Sequence, residues 1–358
     1  MGIDYLQQRD QNDFSRSIKL CLGCAPGAVV TIVAAFLLAL AAIDLAAPPG
    51  SCIEPNYSMQ FGEPPRPIRV INFPADYSIG AVKMVPAMLR SRGRVLEAVA
   101  QGKVVVPAGY CSYFQAGHRF FANPAIVKTL SPDAFDSIQL TALSLDDSED
   151  DEVDRALAVI GHLTGLRQVL LEKSDASDTG VAHLAELPHV QHISLFATIC
   201  TGRCLKQLAT MKTLTSLSLS HSSIEPSNFK YLTNMHQLRE LTASYCQLTD
   251  QGLSYISQCK SLRALNISAN ARLTDESLKY LLPLKNLRHL SLDDTDCSLK
   301  GLLQLKGLPL TALVTPGKPY TGKDLALLRR TFPDLQQLQT THRRTMDAED
   351  STLYAPLH

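Results

Sequence analysis

The chain has 358 residues, and its 34 Lys and Arg residues are balanced by 34 Asp and Glu residues, which gives a pI near 7.1. A neutral chain lacks the broad basic footprint that nucleic-acid binding requires, so the composition argues against a nucleic-acid partner. Trp is absent and aromatic residues make up only 6% of the chain, which favours a core of aliphatic side chains.

The first strong signal in chain order is an apolar segment near the amino terminus. Residues 20–43 carry no charge, and as a helix they would extend about 36 Å, enough to cross a hydrocarbon core of about 30 Å. Arg16 and Lys19 precede the segment, and the next basic residue after it is Arg66. The sequence therefore predicts a transmembrane helix over 20–43, a cytoplasmic segment over 1–19, and extracytoplasmic placement of everything that follows.

A cleaved signal peptide is the alternative interpretation of this segment. Ala39, Leu40 and Ala41 have the small-x-small form of a cleavage site, so the remainder of the chain would then be secreted. Because the apolar run is longer than usual for a signal peptide and a long segment precedes it, we favour a retained anchor.

Two segments of different composition follow. Residues 44–68 are rich in proline and are predicted to form an extended linker. Residues 69–137 contain β-rich runs separated by Pro and Gly turns, and they predict a small β-rich cap domain that covers the open end of the next region. Cys111, His118 and Asp133 lie in this segment and suggest a different hypothesis, an enzyme whose site lies within 69–137.

Residues 138–340 repeat with a period of about 24 residues. Each frame has an aliphatic position followed, two places later, in most frames by Leu or Ile, and this alternation predicts a short strand. A later apolar pair three residues apart, such as Leu253 and Ile256, predicts a helix. The aliphatic position is occupied by Leu143, Val169, Ile193, Leu217, Leu241, Leu265, Leu290, Leu313 and Leu338.

Other frame positions predict how the repeats are held together. Thr249, Thr274 and Thr321 precede the helical stripes and are expected to cap them. A ladder of small polar residues is predicted to bond the backbone of adjacent turns, and it comprises Ser174, Thr198, Ser222, Cys246, Asn270, Thr295 and Lys318. The frames from Leu310 onward contain Pro316 and Pro319 and are expected to be irregular, and residues 341–358 are expected to be disordered.

The strand pattern L-x-x-L-x-L is that of a leucine-rich repeat. The runs at 248–253 and 273–278 resemble the repeats of bacterial leucine-rich-repeat proteins of the planctomycete type. With Cys246, the repeats also resemble the cysteine-containing subclass of leucine-rich repeats. The resemblance covers about residues 70–340. It implies an α/β leucine-rich-repeat solenoid, a horseshoe of eight or nine repeats, and a role in binding partners rather than in catalysis.

In a horseshoe the non-leucine strand positions face the concave surface. Aromatic residues among small ones suit a contact surface there, although an ordinary solvated sheet is the alternative for each position. The predicted partner is a protein of unknown identity. The candidate partner-binding residues are His192, Phe196, Ser220, His221, Tyr245, His289, Asp293 and Asp294.

No cofactor and no metal site is predicted. Cys200 and Cys204 bracket a repeat loop and would be free to pair outside the cytoplasm, but zinc needs a second pair of ligands, and His192 is the only suggestive neighbour. The sequence contains no catalytic triad motif, P-loop or dinucleotide fingerprint. It therefore predicts a membrane-tethered, non-catalytic protein-interaction module.

Overall fold

A computed structural model describes residues 67–87, 94–141 and 151–340. The predicted cytoplasmic segment 1–19, transmembrane segment 20–43 and tail 341–358 lie outside the described residues, as does nearly all of the linker 44–68. Within the described ranges, no helix combines the length and the apolar character needed to span a membrane. The predicted domain boundaries therefore stay predictions.

The strands of the described residues form two sheets, one of two strands and one of 12. In the smaller sheet, β1 (Arg69–Asn72) pairs antiparallel with β4 (Lys103–Val106). At one end of the larger sheet, antiparallel pairing joins β2 (Gly80–Pro86) to β3 (Leu96–Val99) and to β5 (Tyr110–Ala116). Strand β5 then pairs in parallel with β6 (Ser137–Gln139), so the β-rich segment extends the repeat sheet at its first edge.

The other strands of the large sheet are parallel, and each pairs with the strand of the next repeat. They are β7 (Gln168–Leu170), β8 (His192–Ser194), β9 (Ser216–Ser218), β10 (Glu240–Thr242), β11 (Ala264–Asn266), β12 (His289–Ser291), β13 (Ala312–Thr315) and β14 (Gln337–Thr340). The register sets Leu217 opposite Leu241 and Leu241 opposite Leu265. Both neighbours of each such Leu are therefore the same frame position, and burying each one contributes about 1.5–3 kcal/mol. This confirms the predicted α/β solenoid.

A short helix follows the strand in each repeat. The α-helices span His118–Ala122, Glu152–Leu157, Asp178–Ala182, Leu205–Leu208, Asp250–Ile256, Asp275–Leu278, Leu299–Gln304 and Gly322–Thr331. The 3-10 helices span Pro124–Thr129, Ile160–His162, His183–Glu186, Pro226–Asn234 and Lys279–Leu281. All three predicted Thr residues are the N-cap residues of their helices. The hydroxyl caps are confirmed at Thr249 and Thr321, whereas at Thr274 the backbone N–H donates to the Ser277 hydroxyl at 3.0 Å. Thr321 illustrates the geometry: its hydroxyl accepts a hydrogen bond from the Asp324 N–H at 3.3 Å.

Every predicted ladder residue from Ser174 to Thr295 is buried. The predicted bonds to a neighbouring repeat are confirmed at Ser222, Cys246 and Asn270, whose side chains donate to carbonyls of the preceding repeat. The hydroxyls of Ser174, Thr198 and Thr295 donate to carbonyls three residues earlier in their own repeats.

Asn270 bonds the most backbone groups: its amide nitrogen donates to the Ala243 and Ile267 carbonyls at 2.8 and 2.9 Å, and its oxygen accepts from the Cys246 and Leu248 N–H groups at 3.2 and 2.9 Å. Buried backbone N–H and C=O groups need hydrogen-bond partners, so these side chains stabilise the packing of adjacent repeats. Lys318 continues the ladder only in part: its ammonium donates to the Asp296 carbonyl of the preceding repeat at 3.2 Å, but it is not buried and it also pairs with the Asp296 carboxylate.

The predicted first frame of the array is wrong, and the irregularity expected from Leu310 onward does not extend to the strands. Ile138 pairs with Val169, so the first frame starts at Phe135, five residues before the predicted start at Leu140, and Phe135 takes the position of Leu166. The nine residues 142–150 lie outside the described ranges and interrupt the period between these two strands. At the other end, the strand half of the last repeats is regular, since Leu313 aligns with both Leu290 and Leu338.

The β-rich segment and the first frame of the array, which begins at Phe135, share a different core. Phe73, Phe114, Phe120 and Phe135 pack on one another, with the Phe114 and Phe135 ring centroids 4.7 Å apart. The prediction of a purely aliphatic core is therefore wrong for this segment. A buried ion pair lies beside it: the Arg69 Nη2 is 2.5 Å from the Asp136 Oδ2, and these side chains are 8% and 0% exposed.

Candidate functional site

The face of the parallel sheet opposite the helices, here called the strand face, is lined by small polar side chains. In β9, Leu217 belongs to the core, whereas Ser216 and Ser218 flank it on the strand face. Hydrogen bonds join such residues across repeats: the Ser194 hydroxyl donates to Glu172 at 3.0 Å, and the Ser244 hydroxyl donates to Asn266 at 3.0 Å. The serines of the strand face are themselves largely buried by their neighbours, so the face is a closely packed row of small hydroxyl groups whose hydrogen bonds are already ordered.

One residue at the carboxyl end of most strands lies in the left-handed region, and these residues are here called the turn row. Their φ angles lie between 52° and 60°, and the row comprises Lys173, Ala197, His221, Tyr245, Ala269 and Asp294. The backbone repeats as well, since the His221 and Tyr245 N–H groups donate to the Ser244 and Ser268 carbonyls of the next repeat. Because Ala, Lys and Tyr all adopt it, the scaffold fixes this conformation and leaves the side chain free to vary.

Three predicted residues form a continuous row of rings across three adjacent repeats, here called the aromatic row. The Phe196 and His221 ring centroids are 4.9 Å apart at an edge-to-face angle of 63°, and the His221 and Tyr245 centroids are 4.4 Å apart and stacked at 23°. Tyr245 is 55% exposed. The two turn-row residues of this group lie in a conformation that favours Gly or Asn, so neither His nor Tyr is what the turn itself requires.

The other predicted residues lie in different surroundings. Ser220 is buried, and its hydroxyl accepts the Ser244 N–H at 3.1 Å. Asp293 is half-buried beside the turn-row residue Asp294. His192 and His289 are the first residues of β8 and β12, at the opposite ends of the strands from the turn row. Burial lowers the pKa of His192, and the negative charge of Glu240 opposes that shift only partly.

One group of potential metal ligands occurs among the described residues, and it consists of Asp178, Cys200 and Cys204, whose ligand atoms lie within 4.8 Å of one another. The Asp178 carboxylate already accepts four hydrogen bonds at 2.7–3.0 Å, from the Thr201 N–H and hydroxyl and from the Gly202 and Cys204 N–H groups. Burial acts to raise the pKa of Asp178, but these bonds outweigh it and lower the pKa. Contact with Cys200 and burial raise the pKa of Cys204, which disfavours the thiolate. The group therefore has the character of a structural loop anchor.

The Asp178 arrangement recurs in other repeats, and it gives Asp275 of the run at 273–278 a structural role. Asp275 accepts hydrogen bonds from the Ser298 N–H and hydroxyl at 2.6 and 2.5 Å, and Asp154 accepts the Ser177 N–H at 3.0 Å. In each case an acid at the start of one helix satisfies donors at the start of the next repeat's helix, where the macrodipole favours negative charge. Sequence reasoning missed this role because the bonds cross from one repeat to the next.

The residues of the alternative enzyme hypothesis occupy unlike environments. Cys111 is buried within β5 and only 2% exposed. His118 and Asp133 are exposed, and the Asp133 side chain accepts a hydrogen bond from the Ser131 hydroxyl two residues away. The Asp133 carbonyl meanwhile accepts a hydrogen bond from Arg69, which gives this turn a structural role.

Comparison with known proteins gives one family match. A model described as a leucine-rich repeat matches residues 258–282. No curated protein matches the chain.

Solved structures similar to this chain include an internalin C2 of Listeria monocytogenes, at 19% identity over 57% of this chain and 80% of that one, with a TM-score of 0.41. An internalin F of the same organism is similar at 18% identity over 57% and 64%, with a TM-score of 0.39. The toll-like receptor TLR13, solved in complex with ssRNA13, is similar at 18% identity over 60% of this chain and 34% of that one, with a TM-score of 0.40. The last two therefore extend well beyond the part that this chain matches.

The class of protein follows from the repeat geometry and the family match together. Parallel strands in register, one apolar frame position repeated along the sheet and a matched repeat at 258–282 define a leucine-rich-repeat solenoid. Repeats of this class stack only on their neighbours and leave an extended surface open.

Proposed function

We propose that this chain is a non-catalytic protein-interaction module that binds a protein partner through the aromatic row and the adjoining strand face. The observation that carries the proposal is the stacking of Phe196, His221 and Tyr245 across three repeats on a surface that the scaffold does not need. Aromatic side chains contribute a large share of binding energy at protein interfaces, whereas the small polar residues around them make complementary contacts.

Preorganisation supports this interpretation of the row. Ring contacts contribute about 0.5–1.5 kcal/mol each, so His221 is held between its two neighbours before any partner arrives. Its backbone is fixed by the turn row as well. A surface whose side chains are already ordered loses less conformational entropy on binding.

We also propose that the repeats are tethered to a membrane through residues 20–43, with residues 1–19 in the cytoplasm and the repeats outside it. The support is the length of the uncharged segment and the basic residues Arg16 and Lys19 that precede it.

We further propose a finer family assignment: the chain has eight or nine repeats of the planctomycete, cysteine-containing type, preceded by a β-rich cap. It rests on the runs at 248–253 and 273–278 and on Cys246.

The binding proposal is tested by quantitative affinity purification with the full chain as bait. The variant F196S/H221S/Y245S replaces the rings with the residue that predominates on the strand face. The control variant K230S/Q251S/E276S changes three exposed residues on the helices. We expect at least one captured protein to fall by about tenfold or more with the first variant and to be unchanged with the second, since a buried aromatic anchor contributes about 2 kcal/mol. An identical set of captured proteins for both variants would refute the proposal.

The tethering proposal has a separate test. Protease added to intact cells should digest the repeats while a tag fused before residue 1 stays protected. Protection of the repeats in intact cells would show that the outward placement is wrong. Loss of the amino-terminal tag from the mature chain would instead support the alternative of a secreted protein released from a signal peptide.

A further inference from the structure

The amino ends of three consecutive strands carry an unexpected set of positive charges. Arg239, Arg263 and Arg288 immediately precede β10, β11 and β12, and they are here called the arginine row. The Arg263 N–H donates to the Arg239 carbonyl at 2.7 Å, and the Arg288 N–H donates to the Arg263 carbonyl at 2.8 Å. Adjacent strands lie about 4.8 Å apart, so three guanidinium side chains start within about 10 Å of one another.

The scaffold explains little of this row. The Arg288 Nη1 donates to the Lys285 and Leu287 carbonyls at 3.3 and 3.4 Å, and Arg167 holds the same frame position in an earlier repeat. In other repeats that position is Gln191, Thr215, Thr311 or Gln336, where the backbone makes the same hydrogen bonds without a charge. Like charges on neighbouring strands destabilise a sheet. Across the described ranges, no ion pair includes any member of the arginine row to offset that repulsion. Arg239 and Arg263 are exposed to solvent, and Arg288 is partly so.

The charges around the row limit the size and type of ligand. Glu240 follows Arg239 at one end, and Asp334 at the other end lines the same open pocket as Arg288. An evenly charged polyanion, such as a nucleic-acid backbone or an anionic membrane, would meet these acids as well as the arginines. A short peptide segment with two or three carboxylates would contact only the arginines. Each guanidinium can form two parallel hydrogen bonds with one carboxylate.

We propose that the arginine row binds an acidic segment of a partner protein, with carboxylates placed about three residues apart. In a polyproline II conformation, which has three residues per turn and a rise of about 3.1 Å per residue, two such groups lie on one side of the chain and about 9 Å apart, which matches the span from Arg239 to Arg288. The inference rests on the proposed function in that the partner is a protein. It uses a different surface, however, because the arginine row lies at the amino ends of the strands and the turn row at their carboxyl ends.

The test measures fluorescence polarisation of a labelled peptide with glutamate at every third residue, added to the full chain. We expect binding at low ionic strength that is lost at about 1 M, where the Debye length is about 3 Å. The variant R239Q/R263Q/R288Q should bind about tenfold more weakly, since three exposed ion pairs are lost. Gln already occupies this position in two repeats, so the variant should fold, and its unfolding transition verifies that.

Three comparisons make the result specific. The variant K230Q/K279Q/K300Q removes the same charge from the helices and should bind the peptide as the wild type does. The variant R239K/R263K/R288K keeps the charge without the forks and should be intermediate. The variant F196S/H221S/Y245S should bind the peptide normally, so failure of the aromatic-row proposal and failure of this one are distinguishable.

The proposal is overturned if the glutamine variant binds the peptide as tightly as the wild type does, or if the helix-face control loses as much affinity. Single-stranded oligonucleotides of equal charge and phosphatidylserine vesicles serve as competing ligands. Tighter binding of either one than of the peptide, abolished by R239Q/R263Q/R288Q, would assign the arginine row to that ligand and reject the acidic peptide.

Discussion

The region 69–136, which ends within the first frame, and the repeats that follow it are stabilised in opposite ways. In residues 69–136 the core depends on contacts far apart in sequence, such as the Arg69–Asp136 ion pair and the Phe73–Phe135 ring contact. In the array the same few contacts recur between neighbours about 24 residues apart, as Cys246 and Asn270 show. A solenoid therefore distributes its stability over many small equivalent interfaces, whereas the preceding segment concentrates it in a few contacts.

The largest effect should come from the concentrated side of this comparison. Asp136→Ala leaves the Arg69 guanidinium buried without its carboxylate and also removes the acceptor of the Ser112 N–H. We expect a loss of about 3–5 kcal/mol in the free energy of unfolding, measured by denaturant titration. Asp133→Ala is the control, because its side chain is exposed and the carbonyl that Arg69 contacts is retained. Equal losses in the free energy of unfolding from Asp136→Ala and Asp133→Ala would contradict the claim that this region depends on a few buried contacts.

A smaller and more local loss is expected within the array. Asn270→Ala leaves the Cys246 and Leu248 N–H groups without their acceptor and should destabilise the protein by about 2–3 kcal/mol. Hydrogen exchange should accelerate at those two amides first, with β2 and β5 still protected. The exposed Asn286, which bonds only the Lys260 carbonyl, gives the control Asn286→Ala, with an expected change below about 0.5 kcal/mol. Uniform acceleration over both regions would contradict the local character of the array.

Two glycines test the contacts between repeats further, because replacing each one by Ala should change the free energy of unfolding in opposite directions. An added Cβ at Gly180 would overlap the Asp154 carboxylate that bonds the next repeat, so Gly180→Ala should destabilise by about 1–3 kcal/mol. At Gly322 nothing lies within 4 Å of the added Cβ. Gly322→Ala should therefore be neutral or stabilising by up to about 1 kcal/mol. Thermal unfolding of the two variants measures both signs, and a stabilising Gly180→Ala would disprove the role of Asp154.

The smallest effect concerns pH. Burial, aided by the nearby acids Asp154, Glu152 and Asp151, raises the pKa of Asp175 to about 6. Because its folded-state pKa exceeds its unfolded value, the contribution of Asp175 to stability is present at acidic pH and is lost as pH rises through about 6. Asp175→Asn should add about 1 kcal/mol at pH 7, a figure reduced because the group is partly exposed to water. If denaturant titrations at pH 5 and 7 give the same difference from the wild type, Asp175 does not titrate as described.

The sequence predicted the array well because the same pattern of apolar and polar positions recurs in every frame. Val169 to Leu338, the Thr caps and the polar ladder as far as Thr295 all lie where the frame placed them. The first frame failed because the chain around 142–150 breaks the period, so Leu140 was mistaken for a frame start although Phe135 holds that position.

The site was less accessible to sequence reasoning. The aromatic residues could be found, since they stand out among small ones, but the stacking of His221 on Tyr245 depends on the turn-row conformation, which no pattern reveals. The arginine row was missed although its signal is present: one charged residue type at the same frame position in three successive repeats. The row was missed because the repeats were aligned by their buried apolar positions, and exposed positions were not compared between repeats in the same way.

The most direct test of the recognition surface is photo-crosslinking in cells. A benzoyl-phenylalanine replaces Tyr245 in the aromatic row, and in a parallel strain it replaces Gln251, which is exposed on a helix. We predict an adduct with a single protein partner from position 245 and none from position 251. An adduct from position 251 with none from position 245 would contradict the assignment of partner binding to the aromatic row.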